Sequence, residues 1–350
     1  MVEWAALRHA YGSAEDVPGH LAALRSPDDD ERREAFGELY ASITHQGNRY
    51  SASAAAVPPL LGLVADPATP DRDLLLYLLG LIAVGSDEMW LPGGVDTALL
   101  SEDEARAYAA VGAGLPVLHR LAASGDAEVA ASAAYLLSWY PGERTSLEIL
   151  RDRDTPADVV AIGLLGLPEG VAVAEAALRD GRELMRWAGA IALAALSGRA
   201  RGAQTVPSSS DRVARDELLR WAASDRPRDR TVPFLEGDLA GYALLSLPLI
   251  GVDPLEPALS RLRRVGAEPA LTAVGVALRA AFPDGPVPDG TPYRHLGERQ
   301  RLLIDALAGT PGCWLHDGAE FANVSLLVSG YGLPHGRERL AAYAGRTTEP

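Results

Sequence analysis

The stretch AAVPPLLGLVADPATPDRDLLLYLLGLIAVG, residues 55–85, decides the fold class of this chain. It aligns with AGLPVLHRLAASGDAEVAASAAYLLSWYPG, residues 113–142. Each copy has a proline within an apolar run, a short turn containing Asp, and a second apolar run. Apolar residues recur at steps of three and four, the period of a helix that is buried on one face. The two copies predict a repeated helical hairpin whose first helix is bent at Pro58 or Pro116.

Second helices of this kind recur along the chain at spacings of about thirty residues. They are predicted at 28–42, 70–85, 126–140, 155–167, 181–197, 236–250, 267–281, 298–309 and 335–344. No segment alternates with period two, so strands are not expected. A hairpin repeated at this period buries its apolar face only by stacking on its neighbours. The sequence therefore predicts an all-α fold: an α-solenoid of HEAT-like helical hairpins forming a right-handed superhelix.

The predicted solenoid has N-terminal repeats over residues 1–198 and C-terminal repeats over residues 211–350, continuous with each other. One unit, residues 179–198, carries Asp180 six positions before Arg186. This spacing resembles the HEAT-repeat pattern, in which a turn Asp and a second-helix Arg pair along a ladder between neighbouring units. The resemblance implies that Asp180 and Arg186 belong to such a structural ladder.

A closer resemblance covers roughly residues 4–110. The residues that carry it are Trp4, His9-Ala10-Tyr11-Gly12, His45-Gln46-Gly47, Tyr50 and Val57-Pro58. This pattern resembles the N-terminal signature of uncharacterised bacterial HEAT-repeat proteins of the actinobacterial type. The segment YGLPHGRERLAAYAG, residues 331–345, resembles the closing unit of that family. The resemblance implies an all-helical repeat fold and implies no activity.

Charge and composition argue against several classes of function. The chain has 32 basic and 47 acidic residues, a formal net charge of −15 and a pI near 4.9. Nucleic-acid binding depends on a basic surface that neutralises phosphates, and anionic membranes attract basic segments, so both are disfavoured. No signal-peptide pattern is visible, and the apolar run at 74–85 is too short to cross a bilayer. We expect a cytoplasmic protein.

The direction of the helices predicts which loops share an edge. First helices are predicted at 14–24, 51–65, 102–124, 143–152, 171–179, 211–224 and 253–265, and the last helix in this count of directions covers 292–309. Because consecutive helices alternate in direction, the loops that follow second helices lie on one edge. Four of these loops are long or irregular: 43–50, 86–101, 198–210 and 283–291, whereas 225–235 has the opposite parity. Long connections need a functional or structural reason, so we expect this edge, with the concave face beside it, to bind a partner.

The hexamer HQGNRY, residues 45–50, has two interpretations. As a binding loop, His45 would titrate near neutrality, Arg49 would clamp a carboxylate or phosphate, and Tyr50 would stack on a ligand. No acid or nucleophile accompanies the histidine, which disfavours catalysis.

As a turn, the same hexamer would join two helices. Gly47 and Asn48 would supply positive φ, and the side chains of His45, Gln46 and Tyr50 would satisfy carbonyls at the end of the 28–42 helix. Ser51 or Ser53 would cap the next helix. The turn interpretation is the favoured one.

Trp90 lies in the predicted loop at 86–101. It is either an exposed interface anchor or a side chain that folds back between repeats. Parity places it near the hexamer, one repeat away. The predicted partner-binding set is His45, Gln46, Arg49, Tyr50 and Trp90.

The segment CWLHDGAEFANVSLL, residues 313–327, would place Cys313, His316 and Glu320 on one face if it were helical. No other helix that contains a histidine completes a metal site, so no metal is predicted. No P-loop, dinucleotide glycine fingerprint, nucleophile elbow or paired-histidine zinc motif occurs, so no catalytic residue and no cofactor are predicted.

These observations favour a non-enzymatic scaffold that binds a protein partner through its loop edge and concave face. The acidic balance favours a basic partner. One alternative is an immunity or antitoxin-like protein that neutralises a basic toxin. Another is an enzyme or a nucleic-acid-acting HEAT-like module, which needs a deep pocket with convergent titrating groups or a basic concave stripe.

Overall fold

The computed structural model describes residues 2–200 and 209–346, and within them the chain is almost wholly helical. The helices are α1 Val17–Ala23, α2 Asp29–Ile43, α3 Ser51–Ala65, α4 Arg72–Val84, α5 Glu102–Gly112, α6 Leu115–Ala122, α7 Ala127–Leu137, α8 Arg144–Arg151, α9 Pro156–Leu165, α10 Gly170–Leu178, α11 Glu183–Ala200, α12 Ser209–Ala222, α13 Leu239–Ser246, α14 Leu255–Leu262, α15 Ala267–Ala281, α16 Glu298–Ala308, α17 Ala322–Ser329 and α18 Arg337–Tyr343. The predicted all-α fold class of stacked helical hairpins is confirmed.

Strands occur at two places, which corrects the expectation of none. β1 Arg8–His9 pairs antiparallel with β2 Gly12–Ser13, and β3 Leu315–His316 pairs antiparallel with β4 Ala319–Glu320. Each ribbon is only two residues long on each side. Such short pairs form around a tight turn, and no period-two pattern is needed to specify them.

The chain divides into two compact units, which we call the N-terminal unit, Met1–Ala174, and the C-terminal unit, Glu175–Pro350. The predicted domain boundary between 198 and 211 stays a prediction, and residues 201–208 lie outside the described residues. In the N-terminal unit, helices pair as α1 with α2, α3 with α4, α6 with α7, and α8 with α9, while α5 packs against α3 and α4. In the C-terminal unit, α11, α12 and α13 pack together, followed by the pair α14 and α15.

Leucine and alanine build the core, and their small or flexible side chains allow the helices to approach closely. α4 buries Leu75, Leu78 and Ile82, at helical spacing. α11 buries alanines around the larger Trp187, which packs edge-on against Trp221 with ring centroids 6.3 Å apart. The apolar period seen in the sequence is therefore the packing period of the units. No described helix combines the length and apolar character required to cross a membrane.

The predicted helix at 102–124 is two helices. α5 ends at Gly112 and α6 begins at Leu115, so Pro116 lies in the first turn of α6. A proline is tolerated there because the first helical N–H groups have no partner within the helix. The prediction that Pro116 lies inside a helix is therefore wrong, whereas Pro58 does lie inside α3.

Candidate functional site

The segment 44–50, which we call the corner, turns the chain from α2 into α3. Gln46 and Gly47 adopt positive φ values of 51° and 78°, while Asn48 is extended with φ −80°. The expectation for Gly47 is confirmed, and that for Asn48 is wrong. Glycine carries no penalty in the left-handed region, whereas Gln46 bears the strain that this region imposes on a residue with a side chain.

Small hydroxyl side chains satisfy the end of α2. The hydroxyl of Thr44 donates to the carbonyl of Tyr40 at 2.8 Å, and that of Ser53 donates to the carbonyl of Ile43 at 2.6 Å. The Ser53 oxygen also accepts the backbone N–H of Tyr50 at 2.8 Å, so Ser53 ties α2 to the start of α3. The roles predicted here for the side chains of His45, Gln46 and Tyr50 are therefore wrong.

His45 instead contacts the N-terminal ribbon. Its Nδ1 is 3.3 Å from the hydroxyl oxygen of Tyr11, and the two rings meet edge-on with centroids 5.5 Å apart. The backbone N–H groups of Arg8 and Ala10 donate to Ser51 Oγ at 2.9 Å and to the Ser42 carbonyl at 3.0 Å. The ribbon is thus fastened to the corner, and part of the signature recognised in the sequence is one assembled piece of structure.

Arg49 is buried, with 1% of its side chain exposed. Its Nη2 lies 2.9 Å from Oε1 of Glu104, in the first turn of α5, and its Nη1 donates to the carbonyl of Gly47. Burial lowers the pKa of Arg49, and the negative charge of Glu104 opposes that effect. Arg49 therefore holds the corner against the start of α5.

The loop at 85–101, which we call the edge loop, lies against the corner. Gly85 has φ 66°, and a Cβ added there would be 2.6 Å from the carbonyl oxygen of Gly47. Only glycine permits so close an approach of the two backbones. The prediction that these two long loops lie together on one edge is confirmed within the N-terminal unit.

Trp90 folds back into the protein. It is 7% exposed, and its indole N–H donates to the carbonyl of Val84 at 2.6 Å. Of the two interpretations of Trp90, the structure shows the one in which it fills a gap. Arg49 and Trp90 are thus absent from the accessible surface, which corrects the expectation that they form a patch. His45, Gln46 and Tyr50 remain at least partly accessible, and a role for them in partner binding stays a prediction.

The segments that meet at this edge carry three strongly exposed side chains. Leu99, Met89 and Tyr11 are 74%, 71% and 65% exposed, the highest values among the large apolar residues of the described chain. Met89 and Leu99 belong to the edge loop, and Tyr11 contacts the corner at His45. We call these three side chains the edge patch. The predicted partner-binding set included Trp90 and not its neighbour Met89, because the sequence does not show which side of a short helical turn faces inward.

Acidic residues flank Met89 and Leu99 along the chain. Glu88, Asp96 and Glu102 are exposed in and next to the edge loop, while the described arginine nearest along the chain, Arg106, pairs with Glu102. Exposed apolar side chains with acidic neighbours suit a partner surface that combines apolar and basic groups.

A second accessible surface lies between α2 and α4. A cleft of about 220 Å³ there is lined in part by Phe36 and Leu74. Phe36 stacks on Tyr40 with ring centroids 6.5 Å apart, and Tyr40, Leu74 and Tyr77 are roughly half-exposed. We call these four residues the second-helix face. Aromatic side chains in a groove offer contact area at low cost in conformational entropy.

An ion-pair ladder borders this face, although it uses residues that the sequence reasoning missed. Arg32 of α2 pairs at 2.7 Å with Asp71, the residue before α4. Arg72 of α4 pairs at 3.1 Å with Asp126, the residue before α7. The hydrogen bond to Asp71 raises the pKa of Arg32. The sequence did contain a signal for this ladder. An Asp precedes each of these second helices, and the first turn of the second helix one repeat earlier carries an Arg.

Asp180 and Arg186, the two residues predicted to belong to a ladder between units, make their described contacts within their own turn. The carboxylate of Asp180 binds Arg182 at 2.8 Å, which lowers the pKa of Asp180 to about 2. Arg186 instead donates to the carbonyls of Asp180 and Gly181 at 3.1 and 2.8 Å. Arg182 lies two positions after Asp180 and occupies its carboxylate. Arg186 therefore binds the backbone carbonyls of the turn.

Net charge is concentrated in one unit. Residues 1–174 contain 26 acidic and 11 basic residues, which leaves −15. Residues 175–350 contain 21 of each, which leaves zero. The whole negative charge of the chain therefore belongs to the unit that carries the edge patch and the second-helix face.

The cysteine segment forms no ligand cluster. Cys313 is buried, and burial raises the pKa of its thiol to about 12. His316 lies in β3 and Glu320 in β4, so the single helix considered for them does not exist. Within the described ranges, no group of three His, Cys, Asp or Glu side chains is arranged to hold a metal ion.

No protein-family model matches the chain. A search of curated proteins also gave no match. Similar solved structures include an engineered protein from a structural genomics consortium, 17% identical, covering 94% of this chain and 78% of that one with a TM-score of 0.37. A designed armadillo repeat protein, YIII(Dq)4CqI, is 15% identical, covering 67% of this chain and 100% of that one with a TM-score of 0.38. Another, YIII(Dq.V1)4CPAF in complex with the peptide (KR)4, is 15% identical, covering 84% of this chain and 98% of that one with a TM-score of 0.32.

Proposed function

We propose that this chain is a non-enzymatic, HEAT-like scaffold of the bacterial type, which binds a protein partner through its N-terminal unit. The observation that carries the proposal is the edge patch: the three most exposed large apolar side chains of the described chain belong to the segments that meet at the corner. Exposed apolar clusters with a polar rim mark interaction sites.

The polar groups of the corner support a binding role over a catalytic one. Arg49 is engaged by Glu104 and Gly47, and His45 by Tyr11. These side chains hold the two loops in place. The loops then present Met89 and Leu99 on a fixed frame, which lowers the entropy lost on binding.

The proposed partner is a basic protein segment that also carries apolar side chains. The N-terminal unit has a formal charge of −15, and a field of that sign accelerates association with a basic partner. The apolar side chains would contact the edge patch, and the rest of the segment would run over the second-helix face. A basic toxin of an immunity pair would meet the same surfaces, and its identification as the partner would establish that role.

The test is a binding comparison with defined probes. Fluorescent peptides of matched length and apolar content, but basic, neutral or acidic, are titrated into the full chain at low and high salt. We expect the basic peptides to bind most tightly and to weaken as salt screens the field. Leu99→Asp and Met89→Asp should weaken binding by about tenfold each.

Leu315→Asp is the matched control, because Leu315 is an exposed leucine in the C-terminal unit. It should leave the affinity unchanged. Tighter binding of acidic peptides, or equal losses in the control and in the two edge variants, would contradict the proposal.

A further inference from the structure

The exposed apolar residues of the C-terminal unit gather near its end. Five large apolar side chains are exposed in the described part of this unit, and four of them lie within residues 302–327. These four are Leu302, Leu315, Leu326 and Leu327. α17 buries Val324 and Val328 and turns Leu326, 61% exposed, to solvent. Exposed leucines grouped in one short stretch of chain mark a surface that a partner covers.

A cleft adjoins the leucines. It has a volume of about 340 Å³, and its lining includes Trp314, Leu315, Glu320 and the start of α18. The hydroxyl of Ser325 in α17 donates to Glu320 at 2.8 Å, which places α17 directly beside the cleft. We call Leu315, Leu326, Leu327 and the cleft the terminal face.

Charge on the terminal face is balanced and self-complementary. The lining of the cleft includes two acidic residues, Glu320 and Glu338, and two arginines, Arg337 and Arg339. Glu338 and Arg339 are adjacent, exposed and at the cleft, and neither has an ion-pair partner among the described residues. In a two-fold contact, Glu338 of each copy would meet Arg339 of the other, because residues i and j exchange roles across the axis.

We propose that the terminal face binds the same face of a second copy, so that the protein is a dimer joined through its C-terminal units. A second copy fits better than the basic partner of the N-terminal unit, because a surface without net charge does not attract a basic protein. Contact between two N-terminal units would instead bring together two surfaces of charge −15. Apolar side chains with balanced charges on the rim are the composition of a homodimer interface.

The test is sedimentation of the full chain from low micromolar to high micromolar concentration. We expect a monomer–dimer equilibrium whose dissociation constant rises at least about tenfold in Leu326→Arg. Leu99→Arg is the matched control, since Leu99 is a still more exposed leucine in the N-terminal unit, and it should leave the equilibrium unchanged.

Charge exchange tests the two-fold arrangement with substitutions at exposed positions that preserve folding. Glu338→Arg and Arg339→Glu should each weaken the dimer, and the double exchange should restore it. A chain that stays monomeric throughout, or a dimer that Leu99→Arg disrupts and Leu326→Arg does not, would overturn the proposal. Peptide binding by the N-terminal unit is measured separately and stays unchanged in Leu326→Arg, so the two proposals fail independently.

Discussion

The two units of this protein are built from the same kind of helical hairpin, but they differ in net charge. The N-terminal unit carries −15, whereas the C-terminal unit carries zero. The C-terminal unit also buries a complete ion pair: Arg261 and Asp238, 2.7 Å apart, have side chains 1% and 5% exposed. In the N-terminal unit the corresponding buried cation, Arg49, pairs with Glu104, which is still 23% exposed.

The difference in net charge shows whether the helical-hairpin fold requires an excess of carboxylates. Because the C-terminal unit forms the same hairpins with balanced charge, an excess of carboxylates is not a requirement of the architecture. Self-repulsion from such an excess disfavours the compact state. The acidity of the N-terminal unit therefore needs a reason outside folding, and a basic partner supplies one.

The largest effect should come from breaking the buried pair of the C-terminal unit. Arg261→Ala leaves Asp238 buried without its cation and removes the hydrogen bond to the Ser224 carbonyl. We expect a loss of about 3–5 kcal/mol in the free energy of unfolding, measured by chemical denaturation. Hydrogen exchange should place the loss in the C-terminal unit. Arg263→Ala, at an exposed neighbour, should change stability by less than about 0.5 kcal/mol. Equal effects of the two variants would contradict this account of the pair.

Gly85→Ala should have the next largest effect, in the N-terminal unit. The added Cβ would meet the Gly47 carbonyl, and the positive φ of 66° strains any other residue. We expect a loss of about 2 kcal/mol, with faster hydrogen exchange at the corner and the edge loop. Gly93→Ala lies in the same loop with open space around the new Cβ and serves as the control. Normal exchange at the corner in Gly85→Ala would show that the two loops are not held together there.

Glu183→Gln tests an exposed ion-pair network of the C-terminal unit. Glu183 pairs with Arg226 at 2.7 Å and with Arg220 at 2.6 Å, and the hydrogen bonds from these two arginines lower its pKa to about 2. Since the folded pKa lies below the ordinary value of 4.5, the stabilisation is full above about pH 4.5 and disappears as the pH falls towards 2. The variant should be less stable by about 1 kcal/mol at neutral pH. Thermal unfolding at several pH values should show that the difference in stability between the wild type and the variant becomes smaller in acid. A difference that stays constant with pH would exclude a role for the charge.

Salt should produce the smallest effect and the one most specific to the comparison. Screening reduces repulsion among the carboxylates of the N-terminal unit and leaves the balanced C-terminal unit nearly unchanged. We expect moderate salt to stabilise the N-terminal unit by roughly 0.5 kcal/mol, seen as slower hydrogen exchange there alone. Equal slowing in both units would mean that the charge asymmetry has no effect on folding.

Most helices could be predicted because their signals are local. The bounds of α3 and α15 agree with the sequence prediction to the residue, since apolar spacing and end residues mark them directly. α17 was missed because it is short and follows a tight ribbon. The break before α6 was missed because the apolar pattern continues across it, although Gly114 and Pro116 were the signal.

The candidate site was harder to predict, because burial of a loop side chain depends on distant residues. Arg49 is buried because Glu104, 55 positions later, meets it, and Trp90 is buried because it reaches back to Val84. The same folding back leaves Met89 and Leu99 on the outside. No local pattern distinguishes the side chains that turn inward from those that turn outward.

The sequence by itself determined the helical hairpins, their repetition and the net charge of the chain, because helical period, turn residues and composition do not depend on contacts between distant positions. Only the tertiary structure decided which side chains of the corner and the edge loop are accessible. It also showed that Arg32 and Arg72, in place of Arg186, form the ladder. Those outcomes depend on contacts between residues that are far apart in the chain, where small differences in distance decide which partner a charge or an aromatic ring meets.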